Sequence, residues 1–114
     1  MTIASELAAF LTQQRYADLP AQAVDYAQML ISSTVASAAL GSTIESSRII
    51  RSIEVERGGN AEATVWFGAA QMLPVAAAAR VNAVMSDAAA SDDSDLRNIV
   101  HTGTPVCATA LAMA

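Results

Sequence analysis

The sequence predicts an all-α domain, and three observations carry that prediction. Hydrophobic residues make up 54% of the chain, but aromatic residues only 4%. Much of the apolar content is alanine, which has the highest helix propensity, whereas strands prefer β-branched and aromatic residues. Apolar positions also recur every three or four residues along most of the chain. Because 114 residues suffice for one domain, we expect residues 1–114 to form a bundle of about five helices with one short extended segment.

The first half of the chain predicts two helices joined by a short connection. Residues 3–15 have one apolar face, with Thr2 or Ser5 as a possible N-cap. Residues 20–40 form a longer helix that Gly41 would end, as glycine often does. Its serines are expected to bond back to the helix or to allow close helix packing. The apolar face of this helix would comprise Val24, Ala27, Leu30, Ile31, Thr34, Val35 and Ala38, and the serines are Ser32, Ser33 and Ser37.

The middle of the chain predicts a third helix and then the one extended segment. Residues 44–57 should bury isoleucines and expose charged residues, including Glu54. Residues 61–67, AEATVWF, are the only strand-like run, and we expect its aromatic side chains to pack on the helices. Residues 68–73 are predicted to be loop. The buried face of the third helix would contain Ile49, Ile50, Ile53 and Val55.

The last part predicts two further helices separated by a polar stretch. Residues 74–90 form the fourth helix, which carries two polar groups, Arg80 and Asn82. The last helix starts at Thr104-Pro105 and stops on an apolar run at Ala114. An apolar helix that stops without a cap leaves carbonyls and hydrophobic surface unpaired. We therefore expect the chain to be cut from a larger helical domain.

Charge and cysteine content exclude several classes of function. The net charge is −5, and the cations are six arginines without any lysine. Nucleic acids and anionic membrane surfaces both require clustered cations, so neither is an expected partner. The single Cys107 rules out an internal disulfide and fits a reducing compartment. No signal peptide or long apolar span is present, which predicts a soluble, cytoplasmic protein.

The stretch from Asp87 to Pro105 is where the helical pattern stops and titratable residues gather. Asp92, Asp93 and Asp95 lie close together, and the only histidine, His101, follows. Such a loop is typical either of an acid–base site or of an ordinary solvated connection. A metal site is disfavoured, because the calcium-loop pattern is absent and zinc would have only one histidine and one distant cysteine.

Several segments, in order, resemble the N-terminal part of the MmgE/PrpD family: LAAF, DLP, AALGS, RGG, EATVWFGA, LPVAAAARVNAVMSDAAASDD and HTGTPV. The resemblance covers essentially all 114 residues. That family includes 2-methylcitrate dehydratase, cis-aconitate decarboxylase and iminodisuccinate epimerase. The resemblance implies the first part of a large helical domain, without the smaller α/β domain of the family. It also implies homodimers and no metal or organic cofactor.

The resemblance also implies site residues. The family pattern is roughly Asp-Phe-Asp-Asp-Thr-His, a loop, and then His-Pro-Gly. Here Asp92, Asp93 and His101 match it and Ser94 replaces the threonine conservatively, whereas Ala90 and Asp95 depart from it. His101 would be a general acid or base that Asp92 or Asp93 orients, and Gly103 would let backbone N–H groups, at the start of the last helix, approach a substrate carboxylate. The implied catalytic residues are His101, Asp92 and Asp93, and the implied substrate-binding residues are Ser94, Gly103 and Asn82.

These residues lead to two expectations from different classes. The first is the N-terminal part of a cofactor-independent lyase, dehydratase-like, or an isomerase or epimerase of the same family, acting on small polycarboxylates beside a carboxylate. The second is a non-catalytic helical remnant or dimerisation fragment. Only Arg80 and Arg97 are cations near the polar stretch, and polycarboxylates need more. The chain alone is therefore expected to be catalytically silent, and reading the coding sequence downstream of Ala114 would separate the two expectations.

Overall fold

The computed structural model describes residues 2–114, and the prediction of an all-α fold is confirmed. The elements, in order, are α1 (Ile3–Gln13), a short 3-10 helix (Tyr16–Asp18), α2 (Ala21–Gly41), α3 (Glu45–Arg57), β1 (Ala63–Thr64), β2 (Met72–Leu73), α4 (Val75–Ala88) and α5 (Gly103–Met113). Within residues 2–114, no helix combines the length and the apolar character needed to cross a membrane.

The central element is α4, against which α2, α3 and α5 all pack. Small side chains allow this close packing, as the alanine-rich composition predicts. The closest approach is at Gly41, the last residue of α2, where a Cβ would collide with the carbonyl oxygen of Met85. Gly41 therefore serves helix packing rather than helix termination, and Ser42 is the C-cap. The buried core comprises Ala38, Ala63, Val65, Leu73, Ala77, Ala78, Val81 and Met85.

The first helix, α1, begins as predicted but does not pack as its pattern suggests. The Thr2 side chain accepts a hydrogen bond from the backbone N–H of Ser5, and the Ser5 side chain accepts one from the Thr2 backbone N–H. None of the residues of α1 is buried. Its apolar face, which comprises Ile3, Leu7, Phe10 and Leu11, is thus left exposed.

In α2 the predicted apolar face is correct only in the second half of the helix. Thr34, Ser37, Ala38 and Gly41 are the buried residues, because only this half lies against α4 and α5. Ser32 bonds back to the carbonyl of Gln28 at 2.8 Å, as predicted. Ser37 behaves differently, since its hydroxyl leaves the helix and reaches across to α4.

The buried face predicted for α3 is correct only in part. Ile50 packs partly buried against the core, but Ile49, Ile53 and Val55 are exposed, and Ser47 and Glu54 are buried. Glu54 is only 3% exposed because its carboxylate pairs with two arginines: Arg57 at 2.9 Å on its own helix, and Arg80 on α4. A buried charge is tolerated when it is paired in this way. The pair with Glu54 also explains the position of Arg80, which the sequence left without a reason.

The segment between α3 and α4 is a small hairpin, so the prediction of loop for residues 68–73 is wrong in part. Ala63 pairs with Leu73 and Thr64 with Met72 in an antiparallel arrangement. Val65 is buried, and Trp66 packs partly buried against the core, as predicted for the aromatic side chains, but Phe67 is half-exposed. Asn82 of α4 holds the hairpin in place, because its side chain makes two hydrogen bonds to the backbone of the hairpin segment.

Candidate functional site

The polar stretch forms a compact loop between the end of α4 and the start of α5, and Asp95 organises it. The backbone N–H of Asp95 donates to the carbonyl of Val100 at 2.8 Å, which closes the loop. Its carboxylate accepts from the side-chain amide of Asn98 at 2.7 Å and from the backbone N–H of Arg97 at 2.9 Å. These hydrogen bonds, that from Asn98 most of all, lower the pKa of Asp95 below its ordinary value of 3.8. Asp95, a departure from the family pattern, is thus the residue that shapes the loop.

The closed loop brings His101 against Asp92. His101 Nδ1 lies 2.9 Å from Asp92 Oδ2, with the histidine side chain 51% exposed and the aspartate side chain 1% exposed. When the carboxylate is ionised it only accepts hydrogen bonds, so Nδ1 carries the proton and Nε2 is the free acceptor. This arrangement, a buried carboxylate orienting a half-exposed imidazole, is suited to general acid–base chemistry.

A third residue, Thr104, completes the surroundings of Asp92. The Thr104 hydroxyl donates to the same Oδ2 atom at 2.8 Å. The other oxygen, Oδ1, is buried and has no hydrogen-bond partner among residues 2–114. The two oxygens of this carboxylate are therefore unequal: one has two donors, and the other has none.

Asp93 points to a different partner from its neighbour. Its two carboxylate oxygens accept from the backbone N–H of Gly103 at 2.9 and 3.1 Å. Gly103 is the first residue of α5, and Thr102 at the N-cap supplies no side-chain hydrogen bond. Asp93 therefore acts as a cap supplied from ten residues earlier, where a negative charge also complements the helix dipole. The N–H of Gly103, which the sequence offered to a substrate carboxylate, is engaged by Asp93 instead.

Gly103 is required by this close packing. A Cβ at this position would collide with Asp93 Oδ1 and would lie 2.6 Å from Thr34 Oγ1 of α2. The Ser37 hydroxyl, which is also on α2, lies 2.6 Å from the carbonyl of Ser86 and 2.8 Å from the hydroxyl of Ser91. Ser37 thus attaches the start of the loop to α2 and α4. Thr104 and Ser37 carry no sequence signal of these roles, because their partners are distant along the chain.

The remaining predicted site residues do not join the pair. Ser94 is exposed on the loop. Asn82 is completely buried, and both its amide atoms are used: Oδ1 accepts from the N–H of Trp66 at 2.9 Å, and Nδ2 donates to the carbonyl of Thr64 at 3.0 Å. Both polar atoms of the Asn82 side chain are therefore engaged in holding the hairpin to α4, away from the Asp92–His101 pair.

One set of side chains among residues 2–114 could offer three metal ligands together. One ligand atom each from Asp87, Asp92 and His101 lie within 4.8 Å of one another. Two carboxylates and an imidazole are ligands that a divalent transition metal accepts. However, Asp92 Oδ2 and His101 Nδ1 already bond to each other, and Thr104 donates to the same oxygen. A cation bound without displacing these hydrogen bonds would have to use Asp92 Oδ1 and His101 Nε2.

The surroundings of the pair are poor in positive charge. Of the two arginines expected near the loop, Arg80 is paired with Glu54. Arg97 is exposed on the loop itself. A neighbouring groove of about 210 Å³ between α2 and α5 is apolar, and Thr102 and Gly103 contribute to its wall. Its other lining residues are Ala27, Leu30, Ile31, Val106, Cys107, Ala110 and Leu111.

The fold and this site together define an all-α domain in which the loop between the last two helices carries an aspartate–histidine pair. A family model described as the MmgE/PrpD N-terminal domain matches residues 5–114. The match spans nearly the whole chain, so the chain belongs to the MmgE/PrpD family and corresponds to its N-terminal domain. Searches of curated proteins and of solved structures found no match.

Proposed function

We propose that the chain supplies the acid–base part of a cofactor-independent lyase that acts on small polycarboxylates, with dehydration of a 2-methylcitrate-like substrate as the leading reaction. The observation that carries the proposal is the contact of 2.9 Å between His101 Nδ1 and Asp92 Oδ2. Membership of the MmgE/PrpD family supports the reaction class, because the family resemblance implies dehydratases, decarboxylases and epimerases without a metal or organic cofactor.

In the proposed reaction, His101 Nε2 removes a proton from the carbon beside a substrate carboxylate. The C–H electron pair becomes the new carbon–carbon double bond, and the hydroxyl on the adjacent carbon leaves as water with a proton from a second acid group, which the rest of the enzyme would supply. Asp92 stabilises the imidazolium that forms and keeps the ring oriented. For an epimerase the carbon would instead receive a proton on the face opposite to His101, which requires a second acid there.

The proposal also requires cations that the described residues do not offer at the pair. The loop carries Asp92, Asp93 and Asp95, and only Arg97 is a nearby free cation in the part of the chain described, residues 2–114. Substrate carboxylates are bound by arginine and lysine. We therefore expect the purified 114-residue chain to show no turnover of methylcitrate- or aconitate-like substrates. Measurable turnover by the chain alone would contradict the proposal that the cations for the substrate carboxylates are supplied from outside this chain.

A chimera tests the proposal directly. Residues 1–114 would replace the matching segment of a characterised 2-methylcitrate dehydratase of the family, and water loss from 2-methylcitrate would be followed by the absorbance of the new double bond. We expect the chimera to be active and His101→Gln to lose about 10²–10⁴-fold in kcat, the usual contribution of a general acid or base. Leu96→Ala, at a loop position that is 88% exposed and outside the pair, is the control. Equal activity of His101→Gln and this control would refute the acid–base role.

An association surface is a second proposal, from a different class, and the exposed face of α1 favours it. Phe10 is 59% exposed and its apolar neighbours on the helix are also uncovered, which is typical of a surface that binds another protein. We propose that a second copy of the chain covers it, giving a homodimer. In analytical ultracentrifugation Phe10→Glu should shift the chain towards monomer. Gln13→Glu, which adds the same charge outside the apolar face, should leave the distribution unchanged. A monomeric wild type would refute the proposal.

A further inference from the structure

We propose that Thr104 is a positioning residue, which fixes the Asp92 carboxylate so that this carboxylate selects the reactive tautomer of His101. This inference rests on the proposed acid–base function of the Asp92–His101 pair. Thr104 has no place in the family pattern from which the site was predicted. It is also not a candidate to touch substrate, because its residue is 9% exposed and its hydroxyl donates to Asp92.

The geometry concentrates two donors on one acceptor atom. Asp92 Oδ2 lies 2.8 Å from the Thr104 hydroxyl and 2.9 Å from His101 Nδ1, whereas Oδ1 has no partner among residues 2–114. A carboxylate held by one donor alone is free to turn and present either oxygen. With two donors converging on Oδ2, the rotation is restricted, and the oxygen that faces the imidazole is defined.

Of the two donors, Thr104 is the fixed one. It lies in the first turn of α5, which the Asp93–Gly103 hydrogen bonds tie to the loop. The hydroxyl of Ser86 on α4 lies 3.5 Å from the Thr104 hydroxyl. His101, in contrast, is half-exposed and outside any helix. The rigid helix therefore sets the position of the carboxylate, and the carboxylate sets the ring.

The consequence for chemistry lies in the tautomer. An ionised Asp92 that faces Nδ1 requires the proton there and leaves Nε2 unprotonated, which is the form the proposed proton abstraction needs. A purely structural Thr104 would change stability on substitution but not the tautomer. The tautomer is therefore the measurement that separates positioning from packing.

The single histidine makes the experiment unambiguous, because the chain yields one set of imidazole signals. Long-range proton–nitrogen correlation spectra of the ¹⁵N-labelled 114-residue chain would be recorded at about pH 8.5, where an ordinary imidazole is neutral. We expect the wild type to be mainly the Nδ1–H tautomer. Thr104→Val and Thr104→Ala, which remove the hydroxyl, should give a mixture with the Nε2–H tautomer as the larger part. Thr104→Ser, which retains the hydroxyl, should restore the wild-type spectrum.

Asp92→Asn distinguishes failure of this inference from failure of the proposed function. If Asp92→Asn changes the tautomer but the folded Thr104→Val and Thr104→Ala variants do not, the pair exists and Thr104 does not position it. If Asp92→Asn has no effect either, the pair itself is absent and both proposals fail. If neither hydroxyl-free variant folds, as judged by circular dichroism, Thr104 is a structural residue and the inference is overturned.

Discussion

The capping role of Asp93 leads to a specific prediction about the stability of the chain. Its carboxylate caps α5 through the N–H of Gly103, at 2.9 and 3.1 Å. Two substitutions separate the parts of this interaction. Asp93→Ala removes both the acceptor and the charge, whereas Asp93→Asn retains an acceptor oxygen and removes only the charge.

The expected magnitudes follow from helix capping. Loss of a capping acceptor costs about 0.5–2 kcal/mol, and loss of a favourable charge at a helix N-terminus costs about 0.3–1 kcal/mol. Asp93→Ala should therefore lower the free energy of unfolding by about 1–3 kcal/mol. Asp93→Asn should lower it by less than about 1 kcal/mol, because asparagine and aspartate are nearly equal as caps.

Urea unfolding followed by circular dichroism measures both values. With a denaturant dependence of about 1–3 kcal/mol per molar urea for a small domain, a loss of about 2 kcal/mol moves the midpoint by roughly 1 M. The deficit of Asp93→Asn should shrink between about 0.1 M and about 1 M salt, because screening weakens the charge term. The cap assignment is refuted if Asp93→Ala is no less stable than Asp93→Asn.

Three further predictions concern the loop and the helix packing. Ile99 has a positive φ of 53° and is 86% exposed, so Ile99→Gly should relieve backbone strain and raise the free energy of unfolding by about 1 kcal/mol. Leu96→Gly, at an equally exposed site without positive φ, should lower the free energy of unfolding. The opposite order of the two variants in urea unfolding would contradict the strain argument. The pKa of Asp95 is lowered from 3.8 in the folded chain. The stabilising contribution of the Asp95 carboxylate is therefore present above that pH and is lost as the pH falls through the lowered pKa. The stability difference between wild type and Asp95→Asn should decline below about pH 3.8, and Asn98→Ala should weaken this decline. Gly41→Ala should destabilise by about 1 kcal/mol or more in thermal unfolding, because the added Cβ collides with a backbone carbonyl of α4, although helix propensity alone favours alanine by about 1 kcal/mol.

The positions of the helices could be predicted from the sequence because propensity and periodicity are local properties. All five predicted helices lie where the pattern places them, and their ends differ from the prediction by two residues at most. What each helix buries is not local. In α3 only Ile50 of the predicted apolar face packs on the core, and Glu54 is buried because it pairs with Arg57 on its own helix and with Arg80 on α4. A buried carboxylate can be predicted only when its cationic partner on the other helix is known.

The site shows the same limit in its polar residues. His101 and Asp92 could be found from the resemblance, and the structure brings them together. Asn82 was included with them because it lies in the same matched segment, but its amide holds the β1–β2 hairpin. Thr104 was not found, because a threonine at the start of a helix carries no sign of the aspartate it reaches from twelve positions away.

The two adjacent aspartates illustrate why the loop is more than a polar connection. Asp92 and Asp93 are adjacent but reach different partners: one is buried against His101 and Thr104, and the other caps α5. The cap fixes the helix that carries Thr104, and Thr104 holds the carboxylate that faces the imidazole. Stability and chemistry are therefore linked through one turn of helix. A substitution at Asp93 is expected to disturb the His101 tautomer indirectly, whereas a substitution at Thr104 should disturb it at little cost to α5.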